Sequence, residues 1–378
     1  RLTRQGSRQW GLDFVRAEEA VLEASVPEAS LTFQTLSRKS QEPFQAKVAW
    51  FQQQCDALRV PWDDEHQHIK IRRINLLDDS MHAINMIRPE QMRQRFRFEF
   101  IGEPAVDAGG VAREWFHLNS EQLTNPDFAL FQYSSINQMC MQQLNPASGI
   151  ANDEHLHYFR FAGRLLGKAL FDGQLVSAHL ARPLYKHLLG WPIMFSDLEH
   201  IDHFTHDALL KMTELEDVEV CCLDFTVTED RMGGNDVIEL KPGGADVTVT
   251  NENLREYVEL VLKYRLLLRV RDQLREFLVG FYEVVPEALL SVFDFQELEL
   301  LMCGLPTIQL ADWQQHTLYV GEFERKGAAH KARGGGARRG GGSIGFAVLQ
   351  GNDGNIRKFT INGVSVEGGL FPRAHTWY

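Results

Sequence analysis

The cysteines are the first candidates for chemistry in this sequence, because a thiolate is both a nucleophile and a metal ligand. The five cysteines are Cys55, Cys140, Cys221, Cys222 and Cys303. No Cys-x-x-Cys spacing pairs them, so the pattern indicates neither a zinc knuckle nor a disulfide framework. Cys221 and Cys222 lie in the apolar segment 218–225, which we interpret as a strand with alternate side chains buried. We therefore predict no nucleophile at this pair.

Histidine is the side chain that most often ligates zinc, and the histidines of this chain cluster in sequence. The clusters are His66/His68, His155/His157 and His200/His203/His206. In the last cluster the steps of three residues drift around a helix, and no His-Glu-x-x-His motif accompanies any cluster. A Gly-x-x-x-x-Gly-Lys loop for nucleotide phosphates is also missing from the sequence. These patterns predict no metal site and no cofactor.

The elements that would position these residues include both helices and strands. Residues 44–58 and 74–86 show apolar residues at helical spacing, and Pro61 ends the first of these segments. Residues 95–100 alternate phenylalanine with charged residues, which is the period-2 pattern of a strand with one buried face. Asp107 precedes a glycine turn and is placed to cap the helix that follows. The first half of the chain therefore predicts an α+β protein.

The second half of the chain predicts a hairpin followed by helices. Residues 237–249 contain two β-branched segments around a Lys-Pro-Gly-Gly-Ala turn, which is typical of a hairpin. Thr250 or Asn251 then caps one long helix, whose apolar stripe continues to Phe281. A last helix ends at Gly304.

Composition limits the class of partner. The chain has 378 residues, is 44% hydrophobic and carries a formal net charge of −12, which disfavours nucleic-acid phosphates and anionic lipid. Residues 325–342 contain little besides Arg, Lys, Ala and Gly; such segments can bind RNA, but a linker fits the charge of the chain better. No apolar stretch could span a bilayer, and the odd number of scattered cysteines indicates a reducing compartment. We expect a cytoplasmic protein with no nucleic-acid partner and no integral membrane segment.

Twelve short motifs follow one another in order along the chain. The motifs are Gly109-Gly-Val-Ala-Arg-Glu-Trp-Phe116, Asn125-Pro126, Leu130-Phe-Gln-Tyr-Ser134, Asn145-Pro146, Tyr158-Phe-Arg-Phe-Ala-Gly-Arg164, Arg182-Pro-Leu-Tyr-Lys186, Asp197-Leu-Glu199, Pro242-Gly-Gly244, Val247-Thr-Val-Thr-Asn251, Glu297-Leu-Glu-Leu-Leu-Met-Cys-Gly-Leu305, Asp312-Trp313 and His316-Thr317. Each motif alone is weak, but the series in register, from about residue 44 to residue 319, is specific. The series resembles the HECT class of ubiquitin ligases, and its details are closest to the subfamily that carries WW domains.

The resemblance implies a bilobed α+β fold, with a mainly helical N-terminal lobe, a hinge and an α/β C-terminal lobe that is incomplete here. The expected segments are an N-terminal extension 1–43, the N-terminal lobe 44–312 with a small subdomain at 194–255, the hinge 313–319, an Arg/Gly-rich insert 320–343 and a partial C-terminal lobe 344–378. Small β elements are expected in the last segment, where residues 345–350 and 358–361 have the pattern of paired strands.

The family reaction that the resemblance implies is ubiquitin-protein transfer, with a ubiquitin-conjugating enzyme, ubiquitin and protein substrates as partners. Ubiquitin passes as a thioester from the conjugating enzyme to a cysteine of the ligase, and then to a substrate lysine. The small subdomain binds the conjugating enzyme in an apolar groove, whose walls here would be Leu209, Cys221, Leu223, Tyr257 and Val261. An aromatic residue beside aliphatic ones is typical of an anchor pocket. Ordinary core packing is the alternative for Leu209, Leu223 and Val261.

The thioester segment departs from the family pattern. The family places its cysteine directly after a Pro-Arg-Ala-His-Thr sequence; this chain has Arg373, Ala374, His375 and Thr376, and then Trp377. Only a thiolate suits the exchange of one thioester for another, so we predict that the chain as written is inactive. A non-catalytic module that binds the conjugating enzyme is the alternative function. An altered gene model and an evolved pseudoenzyme both remain open as explanations of the tryptophan.

Overall fold

The computed structural model describes residues 2–5, 9–12, 32–61, 66–103, 109–134, 141–231, 234–304, 345–349 and 356–360. The chain divides into two compact units, residues 1–304 and 305–378. In the first unit the described helices are α1 Phe33–Ser40, α2 Phe44–Leu58, α3 Leu76–Met86, α4 Gly110–Thr124, α5 Ser148–Ala151, α6 His155–Asp172, α7 Arg182–Leu188, α8 Phe195–Leu198, α9 His203–Met212, α10 Leu254–Leu266, α11 Arg271–Tyr282, α12 Glu287–Leu290 and α13 Phe295–Cys303.

The strands form two-stranded sheets. The strands are β1 Leu2–Gln5, β2 Gln9–Leu12, β3 His66–Ile71, β4 Arg95–Phe100, β5 Phe131–Tyr133, β6 Gln142–Leu144, β7 Thr226–Arg231 and β8 Gly234–Glu239 in the first unit, and β9 Gly345–Leu349 and β10 Ile356–Thr360 in the second. The pairs β1–β2, β5–β6, β7–β8 and β9–β10 are antiparallel. The pair β3–β4 is parallel, with His66 opposite Arg95. Mixed helices and small sheets confirm the predicted α+β class, and β9 and β10 confirm the predicted strand pair.

The main core is centred on the crossing of α6 and α11. An ideal Cβ added at Gly163 of α6 would lie 2.0 Å from the backbone oxygen of Phe277, and one added at Gly280 of α11 would lie 2.2 Å from the backbone oxygen of Arg160. Real Cβ atoms essentially never approach another atom so closely. The two helix backbones therefore touch, and glycine is required on both sides of the crossing.

Buried charge ties α6 to its neighbours. Arg164, which is almost fully buried, donates from Nε to Glu283 at 2.7 Å, and from Nη1 to the carbonyl oxygens of Ile84 and Ile87 at 2.6 and 2.9 Å. Breaking such a pair on one side would leave an uncompensated charge in the core. At the other end of the unit, Lys47 of α2 donates to both carboxylate oxygens of Glu297 on α13, at 2.9 and 2.8 Å.

A second, smaller cluster of buried apolar side chains lies apart from the main core. Its buried members are Leu198, Leu209, Met212, Val218, Phe225, Val227, Val249, Tyr257, Val261, Tyr264 and Leu266. The cluster therefore combines residues of the predicted small subdomain, 194–255, with the apolar face of α10. The main core takes up the apolar face of α11 instead.

Three predictions for residues 237–281 are wrong, namely the single long helix, its cap and the hairpin. The predicted long helix is two helices, α10 and α11, joined by a 3₁₀ turn at Leu268–Val270, because the apolar faces of the two helices enter different clusters. The cap of α10 is Asn253, whose Oδ1 accepts from the backbone N–H of Thr250 at 2.8 Å.

The predicted hairpin within 237–249 is also absent from the described structure, since β8 pairs with β7 and Gly244–Asp246 form a 3₁₀ turn. The Glu239 carboxylate accepts from the backbone N–H of Gly243 at 3.0 Å, which turns the chain away from β8. The helix α4 begins after Gly109, whose φ of 87° is left-handed, while Asp107 lies outside the described residues. The predicted hinge, the Arg/Gly-rich insert and residues 373–377 also lie outside them.

Candidate functional site

The helix α9 positions the first of the predicted groove residues. Asp202 caps its N-terminus, since the carboxylate accepts from the backbone N–H of Thr205 at 3.0 Å and from the Thr205 hydroxyl at 2.7 Å. Leu209 and Met212 on the inner face are buried in the second cluster. The next residue along the helix, Leu210, is 45% exposed. Adjacent leucines on α9 thus have opposite surroundings.

The segment after α9 is held in a tight turn, so the prediction of a strand at 218–225 is wrong there. Val218–Cys221 form a 3₁₀ turn, because the Asp217 carboxylate accepts from the backbone N–H of Glu219 at 3.0 Å. Cys222 then takes a left-handed conformation with a φ of 49°, which breaks the extended backbone that alternate burial would need. Cys222 is consequently exposed, contrary to the sequence interpretation, while Cys221 is half-buried.

One asparagine fixes this segment to the start of α10. The backbone N–H of Val218 donates to Oδ1 of Asn251 at 3.0 Å, and Nδ2 of Asn251 donates to the carbonyl oxygen of Glu216 at 2.7 Å. The backbone N–H of Val249 donates to the carbonyl oxygen of Leu223 at 2.8 Å. These bonds place the half-buried Leu223 and Cys221 against the cluster.

The helix α10 supplies the aromatic residue of the predicted groove. Tyr257 packs edge-on against Phe225, with ring centroids 5.5 Å apart. Burial raises the pKa of the Tyr257 hydroxyl, so the side chain stays neutral throughout the physiological range. Val261 lies one turn further along the same face and is buried.

The structure brings the five predicted residues into one cluster, with different degrees of access. Leu209, Tyr257 and Val261 are 3%, 7% and 1% exposed, so they form the base of the site. Cys221 and Leu223 are half-buried and face its edge. The family resemblance predicts these five residues as groove walls, and all five contribute to one apolar cluster.

Exposed apolar side chains beside the cluster were missed by the sequence analysis. Leu210 on α9 is 45% exposed, and Leu215 and Val220, which lie between α9 and the half-buried Cys221, are 44% and 67% exposed. Their signal in the sequence is weak, because an exposed aliphatic residue beside buried ones looks the same as a core residue.

The same segment is acidic. Four exposed carboxylate side chains alternate with its apolar residues, namely Glu214, Glu216, Asp217 and Glu219. An apolar surface with an acidic rim favours a partner that presents an apolar side chain flanked by basic groups.

Among the described cysteines, Cys55 does not have the surroundings of an activated nucleophile. Burial raises the pKa of the Cys55 thiol to about 12, so this residue stays protonated at neutral pH. The Sγ of Cys303 donates to the carbonyl oxygen of Ala178 at 3.2 Å, and the Sγ of Cys222 to that of Val220 at 3.8 Å. The imidazole of His179 lies beside Cys303 and Glu299, and its interactions with these two residues raise the pKa of His179 to about 10.

Comparisons with known proteins identify the family of the chain. A model of the family described as HECT-domain (ubiquitin-transferase) matches residues 117–331, more than half of the chain. The E3 ubiquitin-protein ligase Nedd-4 of Drosophila melanogaster is 42% identical over 256 residues, which are 68% of this chain and 25% of that protein. The E3 ubiquitin-protein ligase RSP5 of Emericella nidulans is 37% identical over 351 residues, 89% of this chain and 42% of that protein.

A further relative, the E3 ubiquitin-protein ligase RSP5 of Saccharomyces cerevisiae, is 39% identical over 281 residues, 74% of this chain and 34% of that protein. The chain thus spans between a quarter and about two fifths of the length of these curated relatives. Among the described residues, no helix has the length and apolar character needed to cross a bilayer. The family match over more than half of its length shows that this chain belongs to the HECT-domain family of ubiquitin transferases.

Proposed function

We propose that this chain binds a ubiquitin-conjugating enzyme at the surface of the second cluster, as part of a HECT-type ubiquitin-protein ligase. One observation carries the proposal. The second cluster contains or packs against all five predicted residues, Leu209, Cys221, Leu223, Tyr257 and Val261. Residues from α9, α10 and the segment between them meet there, although they are up to 52 positions apart in sequence. A protein surface that binds an apolar anchor needs such a supported base.

The half-buried residues are the ones that would contact the partner directly. Cys221 and Leu223 form the accessible edge, and Leu210 and Val220 extend it onto the exposed surface. Tyr257 and Val261 support this edge from below. The acidic side chains of the 214–219 segment would attract basic groups of the conjugating enzyme and speed its association.

Binding to the conjugating enzyme can be measured by calorimetric titration of the full chain. Val220→Asp and Leu223→Ala should each weaken binding by roughly 1–3 kcal/mol if these side chains lie in the contact. Tyr257→Ala is a poorer probe, because this side chain is only 7% exposed and also stabilises the second cluster. A weaker affinity of that variant could result from partial unfolding as well as from a lost contact.

Ile74→Asp is the matched control for Val220→Asp. Ile74 is also an exposed aliphatic residue, at 91% exposure, but it precedes α3 in the part of the unit that contains the main core. The control should bind the conjugating enzyme as the unchanged chain does. Equal affinities for the unchanged chain, Val220→Asp and Leu223→Ala, with circular dichroism showing all three folded, would remove this surface from the site.

The second part of the proposal concerns catalysis. A chain with Trp377 at the position of the family's cysteine has no thiolate there to accept ubiquitin, since an indole cannot form a thioester. Without that thiolate, the chain acts as a module that captures the conjugating enzyme. Ubiquitin and protein substrates are then partners of the complete ligase only. Cytoplasmic location is part of the same proposal, because ubiquitin transfer from an activated conjugating enzyme takes place with reduced thiols.

A thioester assay separates the two functions. The full chain is incubated with activating enzyme, conjugating enzyme and ubiquitin, and the products are compared with and without a reducing agent. We expect the conjugating enzyme to carry ubiquitin and this chain to carry none. An adduct between ubiquitin and this chain that disappears on reduction would show that another cysteine serves as the acceptor, and the chain would be an active ligase.

A further inference from the structure

We propose that His203, His206 and Asp207 of α9 form a binding site for a divalent transition-metal ion, with Zn²⁺ as the ion that fits best. The potential ligand atoms of the three residues all lie within 4.8 Å of one another. The Nε2 atom of His203 is 3.2 Å from one Asp207 oxygen, and the Nδ1 atom of His206 is 3.1 Å from the other. Both imidazoles therefore face a single carboxylate.

The helix geometry explains why the three residues meet. His203 and Asp207 are four residues apart, so they occupy the same face of α9 on successive turns. His206 reaches the same carboxylate from the neighbouring position. The spacing of the histidines alone predicts no metal site, but Asp207, directly after His206, adds a carboxylate that both imidazoles face. The structure thus motivates a site that the histidine pattern alone did not predict.

The site is partly ordered before any ion binds. The ring of His206 is only 13% exposed and packs against Phe195, with the ring centroids 4.8 Å apart. The side chains of His203 and Asp207 are more exposed, at 45% and 43%. One fixed ligand and two accessible ones would let an ion enter with small side-chain rotations.

The donor set determines the type of ion. Two neutral imidazoles and one carboxylate suit zinc and similar transition metals, whereas Ca²⁺ and Mg²⁺ prefer ligands that are all oxygen. Three protein ligands leave a fourth position of a tetrahedral zinc site for water. The nearby guanidinium of Arg265 lies 2.7 Å from Glu229 and 3.8 Å from Asp202, so its positive charge is compensated locally.

The test is a calorimetric titration of the full chain with Zn²⁺ alone. We expect one saturable site, and we expect His203→Gln and Asp207→Asn each to weaken binding by at least about tenfold, since even the loss of an outer hydrogen-bond partner costs that much. His117→Gln is the matched control, because His117 is also paired with a carboxylate four residues along its helix, Glu121 at 3.9 Å. That variant should bind Zn²⁺ like the unchanged chain.

The thiols of Cys221 and Cys222 are the competing ligands, so Cys221→Ser/Cys222→Ser is titrated as well. Unchanged zinc binding in this double variant supports the proposal. Loss of binding there, with unchanged binding in His203→Gln and Asp207→Asn, would assign the ion to the thiols and overturn the proposal. Failure of the unchanged chain to reach a saturable stoichiometry would overturn it too.

Discussion

Replacing Gly163 by alanine tests whether the crossing of α6 and α11 is as close as the structure indicates. The added methyl group would lie 2.0 Å from the backbone oxygen of Phe277, where real Cβ atoms do not come within 3.0 Å of such a neighbour. The obstacle is backbone rather than a flexible side chain. The two helices would therefore have to separate locally by about 1 Å, and the contacts beside the crossing would weaken.

Two opposing effects set the size of the change in stability. Alanine is more favourable than glycine inside a helix by about 1 kcal/mol. Overpacking of a filled core costs about 1–3 kcal/mol, and a backbone clash belongs at the upper end of that range. The net effect should be a loss of about 2 kcal/mol in the free energy of unfolding. In a unit of 304 residues, that loss lowers the melting temperature by roughly 3 °C.

Thermal unfolding followed by circular dichroism measures this shift. Gly110→Ala is the matched control, because Gly110 is the first residue of α4 and no heavy atom of the described residues lies within 4 Å of its added Cβ. This variant should be as stable as the unchanged chain or slightly more so. The double variant Gly163→Ala/Gly280→Ala should lose less than the two single losses combined, because one separation of the helices relieves both clashes. A rise in melting temperature for Gly163→Ala would refute the close crossing.

Three other properties follow from buried groups. Lys47→Met should lower the free energy of unfolding, measured by urea denaturation, by about 2 kcal/mol, because the Glu297 carboxylate would lose the ammonium group that lies 2.8 Å away. The double variant Lys47→Met/Glu297→Gln should recover part of this loss, because it removes the unpaired charge. Iodoacetamide should label the exposed Cys222 well before Cys55, whose pKa is about 12, and equal labelling rates by mass spectrometry would contradict the burial of Cys55. Burial lowers the pKa of His187 from 6.5 to about 4. Between these pH values the unfolded chain binds one more proton than the folded chain, so the free energy of unfolding decreases as the pH falls. His187→Gln should make the free energy of unfolding less dependent on pH in that window, as urea denaturation at several pH values would show.

Local periodicity predicted several elements of the fold, and tertiary packing decided the others. The helix α2 and the strand β4 follow their apolar patterns closely, because each buries one continuous face in one core. The break between α10 and α11 could not be predicted in this way. Residues 266–270 contain no proline or glycine, and the apolar stripe continues through them. Only the existence of two clusters shows why the helix ends there.

The candidate site shows the same limit. Family motifs identified residues that the structure brings together, but periodicity could not decide which of the adjacent Leu209 and Leu210 is buried. The turn at Cys222 depends on side-chain bonds made by Asp217 and by Asn251, which is about 30 positions away in sequence. Contacts between positions so distant in sequence leave no local pattern. Burial in the segment after α9 therefore had to be read from the structure.

The separation of the buried residues into two clusters has a consequence for hydrogen exchange. The amides of α9 and α10 are protected by the smaller cluster, whereas those of α6 and α11 are protected by the main core. A cluster with fewer buried side chains opens at a lower free energy, so its amides should exchange deuterium through local openings that leave the main core closed. A protein bound to the smaller cluster would suppress those openings and slow exchange in α9 and α10, with little change in α6 and α11.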